Sequence, residues 1–178
     1  MKPGGATVRI ELRLRELAQL FNSMDPSPFV DRDIDPDAEE FIVSWARELP
    51  AERGLELVVH LATVPPADRA AGVEDAVQRY FASRAEIKRR DFRQLMRRGR
   101  VSLTVGLLFL AGSLLLANEI GRTSTTDNIV RTSLTIGGWV AMWRPLEIYL
   151  YDWWPLREEQ RLMERLARMP VRLILPQS

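Results

Sequence analysis

The chain contains no cysteine. Disulfides, thiolate metal sites and cysteine nucleophiles are therefore excluded. It contains one histidine, His60, so no site needing two imidazoles from one chain can form. Lysine is nearly missing: of 25 basic residues only Lys2 and Lys88 are lysine. That arginine bias fits a GC-rich, bacterial genome better than a recognition need. An excess of charge is lacking as well. The 25 basic residues face 24 acidic ones, a net +1. No global field would draw in a polyanion, so nucleic acid is not an expected partner. No P-loop, G-x-G-x-x-G or G-x-S-x-G pattern occurs, nor any internal repeat. The opening MKPGGATVRIELR has no apolar h-region, so no cleaved signal peptide is expected.

What the chain does have is one uninterrupted apolar run, Val101 to Ala117, VSLTVGLLFLAGSLLLA. Its only polar side chains are Ser102, Thr104 and Ser113. A buried helix of a water-soluble protein normally carries a polar face, and this run offers none. Eighteen residues, 101–118, rise ~27 Å at ~1.5 Å each, against a bilayer core of ~30 Å. The run reads as a membrane span.

A second apolar segment covers 132–154, interrupted by Arg144, Pro145, Glu147 and Asp152. Tyr149, Tyr151, Trp153 and Trp154 cluster at its end, the composition of a membrane–water interface. It reads as a second span, bent or tilted near Pro145. Eight basic residues lie between Arg84 and Arg100, against Glu86 and Asp91. Arg157, Arg161, Arg165 and Arg168 follow the second segment, whereas the connection between the two holds Arg122 and Arg131. By the positive-inside rule both termini are expected in the cytoplasm, on a multi-pass protein of the inner membrane.

The flanks read as a small α/β (α+β) cytoplasmic domain with about three short strands. Val8, Ile10, Leu12 and Leu14 alternate with Arg9, Glu11 and Arg13, a strand with one buried face. Leu55–Leu61 and Val171–Leu175 are the other strand candidates. The two end strands, similar in composition, are expected to pair with each other. Helices are expected over Arg15–Ser23, over Asp37–Leu49 behind an Asp35 cap and Pro36, over Asp68–Arg98 with a bend near Gly99, and over Leu156–Arg168. Residues 1–98 and 155–178 would then form one domain, split by a transmembrane hairpin at 101–154.

Chemistry-bearing residues are few. Asp31, Asp33, Asp35 and Asp37 suggest a cation loop. The EF-hand pattern fails, because position six is Pro36 or Ala38 and position twelve Ile42 or Ser44. Capping and solvated charge explain these aspartates better. His60, between Val59 and Leu61, reads as structural. No metal or cofactor is expected.

Arg144 and Glu147 share a helix face at i, i+3 and can pair. They would line an ion or proton path, form an oligomer contact, or act structurally, with Arg144 snorkelling to the headgroups. The aromatic cluster behind them favours the structural role. Arg89, Arg90, Arg93, Arg97, Arg98 and Arg100 are expected to fix topology and contact anionic lipid headgroups, worth ~1 kcal/mol each near the surface. Gly137 with Ala141, and Ser113 with Ala117, are small-xxx-small pairs suited to close helix approach.

The sequence therefore points to a non-enzymatic scaffold, adaptor or accessory subunit. Its expected partners are membrane or cytoplasmic proteins, or further copies of itself. An oligomeric channel or transporter component and a membrane-anchored metal-dependent enzyme are the alternatives.

Overall fold

A computed structural model describes residues 7–120 and 124–176. Arg122, counted in the orientation argument, and the first six residues, read for a signal peptide, lie outside the described residues. The chain divides into two units. One comprises Met1–Ile87 with Glu159–Ser178; the other is Lys88–Glu158. The divisions fall inside two helices.

The first unit is a mixed α/β domain with three helices on a three-stranded parallel sheet. Strand β1 is Val8–Leu14, β2 is Leu55–Leu61 and β3 is Val171–Ile174, in the order β1-β2-β3. Both partnerships are parallel. The end strands do not pair with each other, as their composition suggested; each flanks β2. A parallel neighbour needs a crossover connection rather than a tight turn. The crossover from β2 to β3 consists of everything from Ala62 to Pro170, the second unit included.

Register explains the two faces of the sheet. Ile10 lies beside Leu57, Leu12 beside Val59, and Leu57 and Val59 beside Val171 and Leu173. This apolar face meets the helices, and Ile10, Leu57 and Val59 are almost fully buried. The opposite face carries Arg9 beside Glu56 and Arg13 beside His60.

Helix α1, Pro36–Glu48, begins where Asp35 accepts the Asp37 amide at 3.0 Å, with Pro36 in the first turn. Asp37 and Glu39 suit its positive end. Its buried side chains are Ala38, Ile42, Val43 and Ala46. Helix α2, Ala67–Glu119, contributes Val73, Val77 and Phe81 from its first turns to the same core. Helix α5, Trp153–Leu166, adds Met163 and Leu166. Each large apolar side chain so buried contributes about 1.5–3 kcal/mol.

Residues 15–23 are not a regular helix but a 3₁₀ turn at Leu17–Leu20. Phe21 and Ile34 instead form an antiparallel bridge, and the Asn22 amide bonds the Asp33 carbonyl at 2.8 Å. The backbone is drawn into that extended contact, which ends the helical turn.

In the second unit α2 continues through Gly99 without a break as far as Glu119. Helix α3, Thr125–Ala141, starts at a capping box between Ser124 and Asp127. It is 17 residues long and ends at Met142. A short helix α4, Trp143–Glu147, and a π-helical turn, Ile148–Asp152, lead into α5.

These breaks overturn the two-span hairpin. Among the described residues only α2 is long and apolar enough to cross a membrane, by length and composition. The segment 132–154 is divided among the end of α3, α4, the π-helical turn and the start of α5, with Arg144, Glu147 and Asp152 among them. The cause is local. Pro145 has no N–H for the Ala141 carbonyl, so helix α3 cannot run through it. The Met142 amide instead closes a tighter turn onto Trp139 O at 3.0 Å. The multi-pass inner-membrane topology, which required two spans, falls with the hairpin.

Candidate functional site

The second unit carries the unusual surface. The most apolar 18-residue window of α2 is 17 % buried. Val101, Val105, Leu108, Phe109, Leu115 and Leu116 are all more than half exposed. Soluble proteins rarely leave so continuous an apolar patch uncovered.

Small residues set the contact between α2 and the pieces that follow it. A Cβ placed on Gly106 would lie 3.0 Å from the Ala141 carbonyl oxygen, and one on Gly138 2.9 Å from Leu110 Cδ1. On Gly99 it would lie 2.9 Å from Ile148 Cγ2. Ser113 and Ala117 are buried, whereas a Cβ on Gly137 would meet nothing within 4 Å. The residue at the contact is thus Gly138, next to the Gly137 singled out from sequence. Ala141 participates through its carbonyl.

The polar cluster follows the helix break. Arg144 Nη1 donates to Glu147 Oε2 at 2.8 Å and lies 3.6 Å from Asp152 Oδ2. Asp152 is a third member that the i, i+3 spacing could not reveal. Arg144 thus faces two carboxylates from its own segment, and the trio carries a formal net charge of −1.

Of the aromatics at this end, Tyr151 and Trp154 are exposed, and Tyr149 and Trp153 half-buried. Trp153 Nε1 donates to the Tyr149 carbonyl at 2.9 Å, and its ring lies 5.0 Å from that of Trp154. Arg89, Arg90, Arg93, Arg97, Arg98 and Arg100 are all exposed on α2. Arg97 and Arg98 also lie at the edge of an open groove of about 710 Å³ between α2 and Ala141.

In the first unit two aspartates, Asp25 and Asp35, are taken up by backbone amides, and Asp31 by an arginine. Asp25 accepts the amides of Ser27 at 2.9 Å and Asp33 at 2.7 Å. The Asp33 amide, then Ser27, holds its carboxyl below the ordinary carboxylate range. Asp35 caps α1, and Asp31 lies 3.5 Å from Arg79 Nη1. Among the described residues no group of three or more acidic or histidine side chains could hold a metal ion. Neither an oligomer, nor a channel, nor a metal-dependent enzyme gains support from any of these contacts.

The polar face of the sheet is cross-linked. Buried Glu56 holds Arg9 Nε at 3.1 Å and Arg172 Nη2 at 3.0 Å, tying all three strands. His60 Nε2 lies 3.6 Å from Glu11 Oε2, a structural placement for the lone histidine. Sequence reading missed the role of Glu56, because it depends on strand order. A second missed cluster joins α1 to α2: Glu39 Oε2 accepts from Tyr80 Oη at 2.7 Å and from Arg84 Nη2 at 2.6 Å. The i, i+4 spacing of Tyr80 and Arg84 was visible; their common acceptor was not.

No family model, no curated protein and no solved structure matches the chain. The fold and its surfaces therefore define the class by themselves: a small α/β domain joined to one helix apolar and long enough to span a bilayer.

Proposed function

We propose that the protein is a membrane-held scaffold or adaptor, with the apolar stretch of α2 inserted in lipid and the α/β unit carried as its protein-binding module. One observation carries the reading: the most apolar window of α2 is only 17 % buried within the fold. In water, each exposed leucine or valine of that window forgoes about 1.5–3 kcal/mol of burial. Lipid removes the penalty. The exposed arginines from Arg89 to Arg100 precede the stretch, where they would meet anionic headgroups. Exposed Tyr151 and Trp154 suit the same interfacial zone.

Flotation of the full chain with phospholipid vesicles tests this. Wild type should float and resist alkaline carbonate extraction. The Leu108→Arg, Leu115→Arg double variant should be extracted, since each arginine at the centre of an inserted helix costs about 2.5–3.5 kcal/mol. A wild-type chain that stays in the aqueous phase, monomeric without detergent, ends the proposal. Crosslinking in intact membranes, followed by recovery through the α/β unit, then reports the protein it holds.

A further inference from the structure

The groove on the second unit combines two chemistries along a single helix face. Gln94, Arg97 and Arg98 line one end; Val105 and Phe109 line the other, with Ala141 opposite. These α2 positions recur every three or four residues, so they form one stripe. From Arg97 to Phe109 the stripe extends ~18 Å at ~1.5 Å per residue. The open volume is about 710 Å³. Gly106 and Ala141 meet at its floor, where a Cβ on Gly106 would lie 3.0 Å from the Ala141 carbonyl oxygen. The cationic end and the apolar trough suit one kind of molecule: an anionic head with a long hydrocarbon tail.

We infer that this groove holds a single anionic glycerophospholipid, its phosphate at Arg97 and Arg98 and one acyl chain along Val105 and Phe109. The inference rests on the reading that the apolar stretch of α2 lies in lipid, and goes beyond it. General headgroup attraction along α2 would be spread over six arginines and would need no trough. A bound lipid needs both ends at once. Planar guanidinium forks match phosphate oxygens in pairs, which a lysine would not do. The Gln94 amide adds a neutral donor beside them.

The test uses the full chain, purified in mild detergent and supplied with equal phosphatidylglycerol and phosphatidylcholine. Native mass spectrometry reads the lipid retained; vesicle flotation of the same preparations reads membrane association. Wild type should retain a single phosphatidylglycerol in preference to phosphatidylcholine. Arg97→Gln with Arg98→Gln should reduce that preference about thirtyfold yet still float. Val105→Trp, which fills the trough and leaves the charges in place, should lose the lipid and also float. Equal retention of both lipids, or a preference that neither variant alters, overturns the inference while leaving membrane association intact. A wild-type chain that fails to float removes the membrane reading itself, and the lipid site with it.

Discussion

Arg84 of α2 donates from Nη2 to Glu39 Oε2 of α1 at 2.6 Å. Tyr80, one turn earlier, donates its hydroxyl to the same oxygen at 2.7 Å, and Arg84 Nε donates to Tyr80 Oη at 3.1 Å. One carboxylate oxygen therefore fixes how α1 and the first turns of α2 meet. Burial, then the Glu39 carboxylate, pushes the Tyr80 phenol above its ordinary value, so it remains a protonated donor. Tyr80→Phe should cost about 1 kcal/mol, the usual net worth of a bond to a charged acceptor after exposure is allowed for. A double-mutant cycle of Glu39→Gln with Arg84→Met, by chemical unfolding, should give a coupling near 1 kcal/mol. Additive losses would mean that Glu39 and Arg84 act independently.

Arg165 of α5 closes the loop behind α1. Its Nη2 donates to Pro50 O and Arg53 O, both at 2.7 Å, with Nη1 3.5 Å from Leu49 O. Helix α1 ends at Glu48, so these carbonyls lie past its last turn, where intrahelical donors run out. Burial lowers the pKa of Arg165, but an arginine stays charged throughout the usable pH range. Arg165→Lys keeps the charge and loses the fork. It should destabilise the chain by about 1–2 kcal/mol, read as a lower denaturant midpoint at unchanged slope. A lysine variant as stable as wild type would show that charge, not bidentate geometry, matters here.

Much of the α/β unit was legible in the sequence, for physical reasons. Val8, Ile10, Leu12 and Leu14 give a strand its period directly. Asp35-Pro36 announces the start of α1, because a capping carboxylate and a preset φ each fit only there. Strand order was not legible. Similar composition in β1 and β3 suggested a pair, whereas both needed the more buried β2. Leu17, Leu20 and Phe21 had helical spacing, but the Phe21–Ile34 bridge stops the turn. The second span failed for a related reason. Average apolarity over 132–154 does not register that Pro145 removes the hydrogen bond the Ala141 carbonyl would accept, so that α3 stops after 17 residues. Within the candidate site, Arg144 and Glu147 could be paired from spacing. Asp152 joins them only once the π-turn is known.

Asp25 sets an acid limit on the same bridge. Its carboxylate accepts from Asp33 and Ser27, and these amides hold its pKa low in the folded state. A folded value below the unfolded one means stability fully present above the ordinary carboxylate pKa of 3.8. That contribution is lost as pH falls through the lowered folded value. Asp25→Asn cannot accept with both side-chain atoms, so it should melt below wild type at about pH 6, with the gap narrowing towards about pH 3. Thermal melts across that window measure it. A gap that is constant with pH would show that the carboxylate charge contributes nothing.

Glycines offer the sharpest test of how the second unit is packed. A methyl group added at Gly112 or Gly137 would meet nothing within 4 Å, and both residues lie inside helices. Replacing either by alanine removes backbone entropy from the unfolded chain and should stabilise by about 0.4–1 kcal/mol. Gly138→Ala and Gly106→Ala should do the opposite. At Gly138 the methyl meets the flexible tip of Leu110, but also Ser113 Cβ at 3.2 Å. At Gly106 the obstacle is the Ala141 carbonyl, which cannot rotate away, so this variant should be the worse of the two, at about 1–3 kcal/mol. Thermal melts of the four single variants in one detergent give the ranking. The comparison of Gly137 with Gly138 is decisive, because the residues are adjacent and chemically identical. Loss at Gly137 with gain at Gly138 would place the contact on the Gly137–Ala141 face that the small-xxx-small pattern suggested. Gain at Gly137 with loss at Gly138 places it on Gly138 and Ser113.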